Sequence, residues 1–434
     1  MSVALRGSII ILLCFIGISL LVFEDLKKSS LLKKCEVYVK YLAIVFPFID
    51  LKMAPMGFRI DIFTTCTVTF LILNYRVISK VPHKLLMTLV GLLGIAIFCA
   101  ICSNYVLNSI ISSVEILVPF ILLFAILVLL LNKKQKVVYH CFILIALYVI
   151  LFGVIQQFLY RDFTVYYNSR IEDIRITSVF NEPQTAGCAI AILAMYFWNQ
   201  FLYSKKTLQI LLFLGLIFIG AFTGSKTFLI GLIIAIIVSM LFKKIDIVYI
   251  ALMGFLATLF IVFSDYIYSL PVFERMQDFD NSYEGRNGYF WLIGYNLFKE
   301  HFLTGIGIGN FQLYNIDFLK IVHWSGTYAT QPESGYLLWF DEMGIWGIYP
   351  LLMLVYLLLK RGYKAYNISI IIPWVISFIS VYNLESNQLK YILFISFALI
   401  LFSSGCFKCL HYENSNSRKN KNSSCQDGEF KTHC

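Results

Sequence analysis

The chain has 434 residues, of which 59% are hydrophobic and 14% are charged, and its formal net charge at pH 7 is +10. About a quarter of the residues of a soluble domain are charged, so this composition leaves too little polar surface to cover an aqueous core. It excludes a soluble globular enzyme, a disordered protein and a disulfide scaffold, and it predicts an all-α polytopic integral membrane protein.

Apolar stretches of bilayer length recur along the whole chain. A bilayer core of about 30 Å needs roughly 20 apolar residues in a helix. Twelve membrane spans are predicted, or thirteen if the first stretch also crosses, and the stretch that ends at Asp50 is unusually short. The predicted stretches are 8–23, 38–49, 59–75, 85–103, 109–131, 137–159, 184–203, 208–222, 226–242, 247–264, 336–359, 368–383 and 389–407.

Lysine and arginine are concentrated in every second connection between these stretches, among them residues 133–136, 205–206, 243–244 and 360–364. The C-terminal tail is basic as well. Cytoplasmic loops of multi-pass proteins carry such an excess of basic residues. The pattern therefore predicts a cytoplasmic C-terminus, and it accounts for the net charge without a nucleic-acid partner.

Four regions follow from this topology. Residues 1–264 hold the N-terminal transmembrane helices and an external loop, 160–183. Residues 265–335 form a large external loop with a helical subdomain of its own, and residues 336–407 hold the C-terminal transmembrane helices. Residues 408–434 form a disordered cytoplasmic tail, whose cysteines and histidines lack the folded frame of a zinc site. No metal and no cofactor are predicted.

The two external loops are too long to be simple turns, and loops of more than about 12–15 residues are usually functional or disordered. The shorter loop contains Arg161, Arg170 and Arg175. Arginine forms bidentate hydrogen bonds with phosphate oxygens, and aromatic residues offer flat faces to sugars. One interpretation is an anionic ligand that carries sugars. The alternative is a solvated loop in which these arginines pair with neighbouring aspartate and glutamate residues.

The large loop contains an amphipathic segment followed by a run of glycines. An amphipathic helix is predicted over residues 284–301, with Arg286, Ile293 and Leu297 on one face. The run GIGIGNF, residues 305–311, then ends the helix. A dinucleotide-binding fingerprint needs a strand before such a run and a helix after it. We therefore expect a tight turn where backbone approaches backbone or ligand, rather than a nucleotide site.

Ionisable residues mark the exit of the large loop into the next predicted span. In the segment QPESGYLLWFDEMGIWG, Glu333 and Ser334 lie at the start of a helix, where the helix dipole favours a carboxylate. Asp341 and Glu342 follow about two turns later in an otherwise apolar segment. Charged groups at that depth are costly unless they are paired or face a polar cavity, so a partner or a cavity is expected there.

Four segments, in their order along the chain, resemble the O-antigen polymerase and ligase superfamily, bacterial membrane enzymes that join lipid-linked glycans. Residues 43–63 are similar to the family's N-terminal helix pair around a proline, and RITSVFNEPQTAGCAIAI (175–192) resembles its first external loop. GAFTGSKTFLIGL (220–232) resembles a Thr-Gly-Ser-Arg turn, with Lys226 in place of the arginine. GRNGYFWLIGYNLFKEHFLTGIGIGNF (285–311), followed by ESGYLLWFDEMGIWG, resembles the large external loop and its exit.

The resemblance implies a glycosyltransferase of the bacterial plasma (inner) membrane. This enzyme would transfer a growing glycan of O-antigen or capsule type from undecaprenyl diphosphate to the next lipid-linked repeat unit, on the outer face of the membrane. The implied partners are the undecaprenyl-diphosphate-linked oligosaccharide, the lipid bilayer and a chain-length regulator.

The resemblance also implies roles for residues on the two external loops. Arg286 matches the family's loop arginine, which serves the lipid diphosphate. The other expected diphosphate ligands are Arg175, Arg170 and Arg161. Glu333 stands where the family typically has a histidine, and it is the expected catalytic base for the acceptor hydroxyl. Ligases depend on that histidine whereas polymerases vary there, so the glutamate favours a polymerase.

Two other functions stay open. An O-antigen ligase would move the finished glycan onto the lipid A core. A flippase or transporter for lipid-linked oligosaccharides would show inverted repeats and charges near the membrane midplane. The sequence contains no convincing internal repeat, and its charges concentrate in the external loops, which favours an enzyme.

Overall fold

The computed structural model of the protein describes residues 83–131, 135–159, 175–180, 182–242, 291–314, 334–350, 366–380 and 387–403, and the single positions 16, 19, 71, 72, 332 and 352. These described residues form helices joined by short connections, and no strand occurs among them. An all-α fold is therefore confirmed for this part of the chain. Apart from the single positions, the described residues do not include the predicted spans 8–23, 38–49, 59–75 and 247–264 or the predicted tail.

The described part of the chain contains ten α-helices. In chain order they are α1 (His83–Ile101), α2 (Val106–Leu131), α3 (Gln135–Val154), α4 (Pro183–Ser204), α5 (Thr207–Phe222), α6 (Lys226–Phe242), α7 (Trp291–Glu300), α8 (Gly335–Met343), α9 (Ile372–Ser380) and α10 (Asn387–Ser403). A π-helical turn (Ile155–Leu159) extends α3, and 3-10 turns follow α8 (Gly344–Gly347) and precede α9 (Tyr366–Ile370). Helices α1 to α6 begin and end close to the bounds predicted from the sequence.

Two described helical stretches, Val137–Leu159 and Pro183–Ser204, are long and apolar enough to cross a membrane by length and composition. Shorter apolar helices accompany them, at Leu86–Ile101, Thr207–Phe222, Lys226–Leu241, Ile368–Ile379 and Leu389–Phe402. A buried core helix of a soluble protein would meet the same criterion, so a total of twelve spans stays a prediction.

Helix α4 lies at the centre of the bundle. It is buried along almost its whole length, and it packs against α3, α5, α6, α9 and α10. Alanine and glycine in its first half permit these close approaches, because small side chains let neighbouring helices come near. Gly187, for example, lies directly against Ser225 and Phe228 of α6.

The order of the helices places the connections at two ends of the bundle. The end that we call the loop end holds residues 102–105, 175–180, 223–225 and 301–310, all from connections predicted to be external. The opposite end, which we call the lysine end, holds the exposed residues 205–206. The described candidate residues therefore concentrate at the loop end.

The stretch 336–359, predicted as one continuous helix, is interrupted. Helix α8 ends at Met343, and Gly344 adopts φ 59° and ψ −144° before a 3-10 turn. The cause is a competing contact, because the amide of Ile345 donates to the carbonyl oxygen of Phe302 in the large loop at 2.7 Å. A long-range hydrogen bond thus replaces the bond that would continue the helix.

Helix α8 crosses the loop end of the bundle from α9 to α1. At its start, the hydroxyl of Tyr336 donates to the carbonyl oxygen of Val375 on α9 at 2.9 Å. At its end, the thiol of Cys99 on α1 donates to the carbonyl oxygen of Met343 at 3.7 Å. The residues that follow the large loop are therefore held against both sides of the bundle.

Candidate functional site

Arg175 is held at the loop end of the bundle. Its guanidinium Nε donates to the carbonyl oxygen of Thr223 at 2.9 Å, and the side chain is half-buried. One residue later, the amide of Ile176 donates to the carbonyl oxygen of Phe222 at 3.1 Å. These two hydrogen bonds join the first external loop to the connection between α5 and α6.

The connection between α5 and α6 is a tight turn built around a glycine. Gly224 has a φ of +61°, in the left-handed region that side chains other than glycine rarely adopt. A Cβ atom at this position would also lie 3.1 Å from Nε of Arg175. Glycine is therefore needed twice here, for the backbone conformation and for the close approach of the arginine.

Hydroxyl groups complete the turn and start the next helix. The hydroxyl of Thr223 donates to the carbonyl oxygen of Gly220 at 2.7 Å. Oγ of Ser225 accepts from the amide of Phe228 at 3.4 Å and lies 3.0 Å from Oγ1 of Thr227. The Thr-Gly-Ser sequence thus ends α5, reverses the chain and caps α6, which accounts for these residue types at these positions.

Positive charge converges on this turn. Helix α6 begins at Lys226, and its first turn contains no acidic residue. A helix N-terminus carries about half a positive charge. Arg175 adds a second cation to this turn. Its guanidinium Nε lies beside Gly224, which is two residues before Lys226 in the sequence. Such a corner favours an anion with several oxygen atoms, such as a phosphate or a diphosphate.

Gln156 and Ser178 hold the segment that follows Arg175. Oε1 of Gln156 accepts from the amides of Thr177 at 3.0 Å and Ser178 at 2.8 Å. The hydroxyl of Ser178 donates to the carbonyl oxygen of Val149 at 2.7 Å. Neither residue was predicted from the sequence to have a role at this site. The available signal was a glutamine within an apolar stretch, because a buried amide side chain needs hydrogen-bond partners.

Residues 305–310 of the large loop form the second structured part of the loop end, and we call them the glycine clasp. Gly305, Gly307 and Gly309 have φ values of 67°, 87° and 77°. A Cβ atom on the first of these glycines would overlap the backbone at the C-terminus of α8. The predicted tight turn, where backbone approaches backbone, is confirmed.

The glycine clasp binds the last turn of α8. The amides of Ile306 and Gly307 donate to the carbonyl oxygens of Asp341 and Glu342, each at 2.9 Å. The amide of Gly309 donates to Oε1 of Glu342 at 2.8 Å. These bonds satisfy carbonyl groups that the end of a helix leaves without an intrahelical partner. The buried carboxylate of Glu342 thus has the partner that the sequence predicted for it.

The opposite side of the glycine clasp contacts the connection between α1 and α2. The hydroxyl of Ser103 donates to the carbonyl oxygen of Ile306 at 2.6 Å and accepts from Nδ2 of Asn310 at 2.7 Å. Nδ2 of Asn108 donates to Oδ1 of Asn310 at 2.7 Å and to the carbonyl oxygen of Gly309 at 3.0 Å. The clasp therefore joins three parts of the chain that are far apart in sequence.

Asp341 is a buried carboxyl group beside the glycine clasp. Its side chain is 0% exposed, and within the described part of the chain neither carboxyl oxygen has a hydrogen-bond partner. A Cβ atom on Gly294 of α7 would lie 2.8 Å from Oδ2 of Asp341. The absence of a side chain on this glycine makes room for the carboxyl group between α7 and α8.

Helices α7 and α8 run in the same direction and in contact with each other. Gly294 lies against Leu337, and the rings of Phe298 and Phe340 are 5.4 Å apart at their centroids. Along α7 the contacts advance from Gly294 to Phe298, and along α8 they advance from Leu337 to Phe340. The two helices therefore run in parallel. Ser334 caps α8, because its Oγ accepts from the amide of Leu337 at 3.4 Å. The helix start predicted at the loop exit is confirmed.

The described part of the chain includes Arg175 among the predicted site residues. The predicted site residues that lie outside it are Glu333, Arg286, Arg170 and Arg161. The residues on either side of the predicted base, Pro332 and Ser334, are both buried. The structure therefore places one predicted diphosphate ligand and the two neighbours of the predicted base, and the roles of the other residues stay predictions.

Much of the loop end lies within a segment that matches a known protein family. Residues 210–352 match the family model described as O-antigen ligase, and this range contains most of α5 and all of α6, α7, the glycine clasp and α8. A comparison with curated proteins gives no match. The match places residues 210–352 in the O-antigen polymerase and ligase superfamily, whose members are membrane-integral, glycosyltransferase-like enzymes that act on lipid-linked oligosaccharides.

Proposed function

We propose that the protein is a polysaccharide polymerase that transfers a growing glycan from undecaprenyl diphosphate to the next lipid-linked repeat unit. The observation that carries the proposal is the position of Arg175 beside the turn that begins α6, at the loop end of the bundle. The family acts on lipid-linked oligosaccharides. A corner of positive charge at this end suits the diphosphate that links lipid and sugar.

The proposed reaction has two requirements that protein side chains meet. The acceptor hydroxyl oxygen attacks the anomeric carbon, and the bond from that carbon to the diphosphate oxygen breaks with its electron pair on the leaving diphosphate. Arg175, Lys226 and the N-terminus of α6 stabilise the negative charge that develops there. Glu333 accepts the proton of the attacking hydroxyl as general base. The remaining diphosphate ligands that we propose are Arg286, Arg170 and Arg161.

The packing of α7 on α8 supports a role for Arg286 near Glu333. Ile293 and Leu297 are buried on the face of α7 that packs toward α8, whereas Tyr295 on another face is exposed. On the predicted helix 284–301, Arg286 shares the face of the two buried residues. Because α7 and α8 are parallel, we expect Arg286, which precedes α7 in the sequence, and Glu333, which precedes α8, to lie at the same end of this helix pair.

Substitution of the proposed base and of the loop arginine tests this assignment. In cells that lack the chromosomal copy, Glu333→Gln and Arg286→Ala are expected to lower glycan elongation by at least about 100-fold, because each removes a group that stabilises the transition state. Surface glycan on a gel, normalised to protein level, is the measurement. Lys205→Ala, at the lysine end, is the control and should give normal ladders. Full-length ladders from both test variants would contradict the assignment.

An O-antigen ligase is the second candidate, because the matching family model is described as O-antigen ligase. Purified protein supplied with one lipid-linked repeat unit separates the two activities. A polymerase forms products of two or more repeat units without another acceptor, whereas a ligase requires the lipid A core. A flippase forms no new glycosidic bond, whether or not the lipid A core is present. We expect elongation of the single substrate, with a narrower range of product lengths when a chain-length regulator is added.

A further inference from the structure

Three aromatic rings meet beside the glycine clasp at the loop end. The ring of Tyr105, in the connection between α1 and α2, contacts the ring of Tyr314 edge to face, with centroids 5.5 Å apart and an interplanar angle of 85°. The ring of Tyr314 contacts the ring of His301 in the same way, at 5.3 Å and 76°. Tyr105 is 40% exposed, and the other two residues are half-buried. Tyr105 is thus the accessible member of a fixed cluster.

Hydrogen bonds fix Tyr105 relative to the large loop. Its amide donates to Oγ of Ser103 at 3.1 Å, and the same hydroxyl is bonded to the glycine clasp. Asn108, three residues later, is exposed and also bonded to the clasp. The backbone of Tyr105 is therefore joined through Ser103 to the glycine clasp, and the position of its ring follows that of the large loop.

This arrangement suits a sugar ring better than a lipid tail. A tyrosine offers a flat apolar face to the C–H groups of a sugar, and the exposed side-chain amide of Asn108, three residues later, offers its Oδ1 as an acceptor for a sugar hydroxyl. A tyrosine that only anchors a protein in the headgroup region has no need of a fixed position relative to a catalytic loop. The edge-to-face contact with Tyr314 holds the ring of Tyr105 in one orientation, which lowers the entropy lost on binding.

We propose that Tyr105, supported by Tyr314 and His301, is a glycan-binding subsite that stacks on a sugar ring of the lipid-linked oligosaccharide. The inference rests on the proposed function for the class of ligand. It adds a position on the connection between α1 and α2, outside the residues 210–352 that match the family model. The subsite holds the saccharide, whereas the corner at Arg175 holds the diphosphate.

Saccharide binding to single-residue variants tests the subsite. The probe is the saccharide that mild acid releases from the host's lipid-linked glycan, labelled with a fluorophore at its reducing end. It is titrated onto full-length protein in nanodiscs, and fluorescence polarisation gives Kd. Tyr105→Phe keeps a flat ring and should bind within about twofold of the unsubstituted protein. Tyr105→Leu keeps apolar contact with Tyr314 but has no flat face, and its Kd should rise about tenfold, or about 1.4 kcal/mol.

Tyr203, which is 54% exposed at the lysine end, provides the matched control. Tyr203→Leu should leave Kd unchanged, and the melting temperatures of all variants report whether they fold. Unchanged affinity in Tyr105→Leu would overturn the subsite. So would an equal loss in Tyr203→Leu or in Tyr105→Phe, or the absence of probe binding by the unsubstituted protein.

The same variants separate this inference from the proposed function. The unsubstituted protein could elongate a lipid-linked repeat unit while Tyr105→Leu binds the saccharide with normal affinity. That result would support the polymerase activity and contradict the subsite. Binding of the saccharide through Tyr105 without any elongation would leave the subsite and contradict the polymerase.

Discussion

Asp341 and Glu342 are adjacent buried carboxyl groups in different environments. Glu342 receives the amide of Gly309 at 2.8 Å, which joins α8 to the glycine clasp. Asp341 is fully buried, and the described residues supply no hydrogen bond to either of its oxygens. A buried carboxyl group without hydrogen-bond partners lowers stability, whereas a carboxylate that satisfies a buried amide raises it. The two side chains are therefore expected to contribute to stability with opposite sign.

Substitutions that remove one carboxylate at a time test this difference. Glu342→Ala leaves the amide of Gly309 without its acceptor and should lower the free energy of unfolding by about 1–3 kcal/mol, whereas Glu342→Gln retains an acceptor and should cost less. Asp341→Asn keeps the size of the buried side chain and leaves a neutral polar group in its place, so it should not lower stability. Thermal unfolding of the purified protein in detergent measures these effects. A loss in Asp341→Asn as large as that in Glu342→Ala would contradict the interpretation.

The glycine clasp explains why the large loop and α8 form one unit. Its backbone donates to the last carbonyl groups of α8, and its other side is bonded to Ser103 and Asn108. Glycine is required because the chain passes too close to α8 for a side chain and adopts positive φ values. Next to the clasp, the carbonyl oxygen of Phe302 accepts from the amide of Ile345 where α8 ends. One turn therefore positions the loop and shapes the exit helix.

Replacement of a glycine in the clasp tests its contribution. Gly305→Ala adds a methyl group that overlaps the backbone of Glu342 at a φ of +67°, so it should lower the free energy of unfolding by about 2–4 kcal/mol. Gly94 is the matched control, since it lies inside α1 and a Cβ atom there meets nothing within 4 Å. Gly94→Ala should be neutral or stabilising by about 0.5–1 kcal/mol. Equal melting temperatures for the two variants would contradict the role of the clasp.

The molecule as a whole separates its polar groups between the two ends of the bundle. Toward the lysine end, Asn199 of α4 donates to Oγ of Ser369 at 2.9 Å and accepts from the hydroxyl of Ser239 on α6 at 2.8 Å. All three side chains are buried, and Asn199 links the two serines. Such satisfied polar groups hold helices together in an apolar medium. The loop end instead holds Arg175 and the carboxyl groups beside the clasp, which suits binding.

Thiol labelling tests the predicted orientation of these ends. Cys102 is exposed at the loop end, so a chain that keeps it as the single cysteine should react with a membrane-impermeant maleimide in intact spheroplasts. A cysteine introduced by Tyr203→Cys, in a chain that lacks all others, should react only after permeabilisation, because it lies at the lysine end. The reverse pattern of labelling would contradict a cytoplasmic C-terminus.

Local features of the structure were predictable from the sequence. Apolar runs located α1 to α6, because each helix satisfies its own backbone hydrogen bonds and needs no partner to be recognised. Local backbone chemistry also made three turns or helix starts predictable. They are the turn before Lys226, the helix start at Ser334 and the tight turn at residues 305–310. Hydroxyl and glycine residues act there on backbone groups a few residues away.

Contacts between distant parts of the chain were decided by the tertiary structure. Three features depend on contacts between segments that hydrophobic periodicity does not relate. They are the end of α8 at Met343, the hydrogen bond from Arg175 to Thr223 and the burial of Asp341. The side chain of Gln156 likewise accepts hydrogen bonds from residues 177 and 178, which are distant from it in the sequence and lie next to it because of the tertiary fold. The sequence by itself determined which segments are helical and which loops carry charge, because those properties are local. Which charge meets which turn depends on how the helices pack, because packing brings together residues that no local pattern connects.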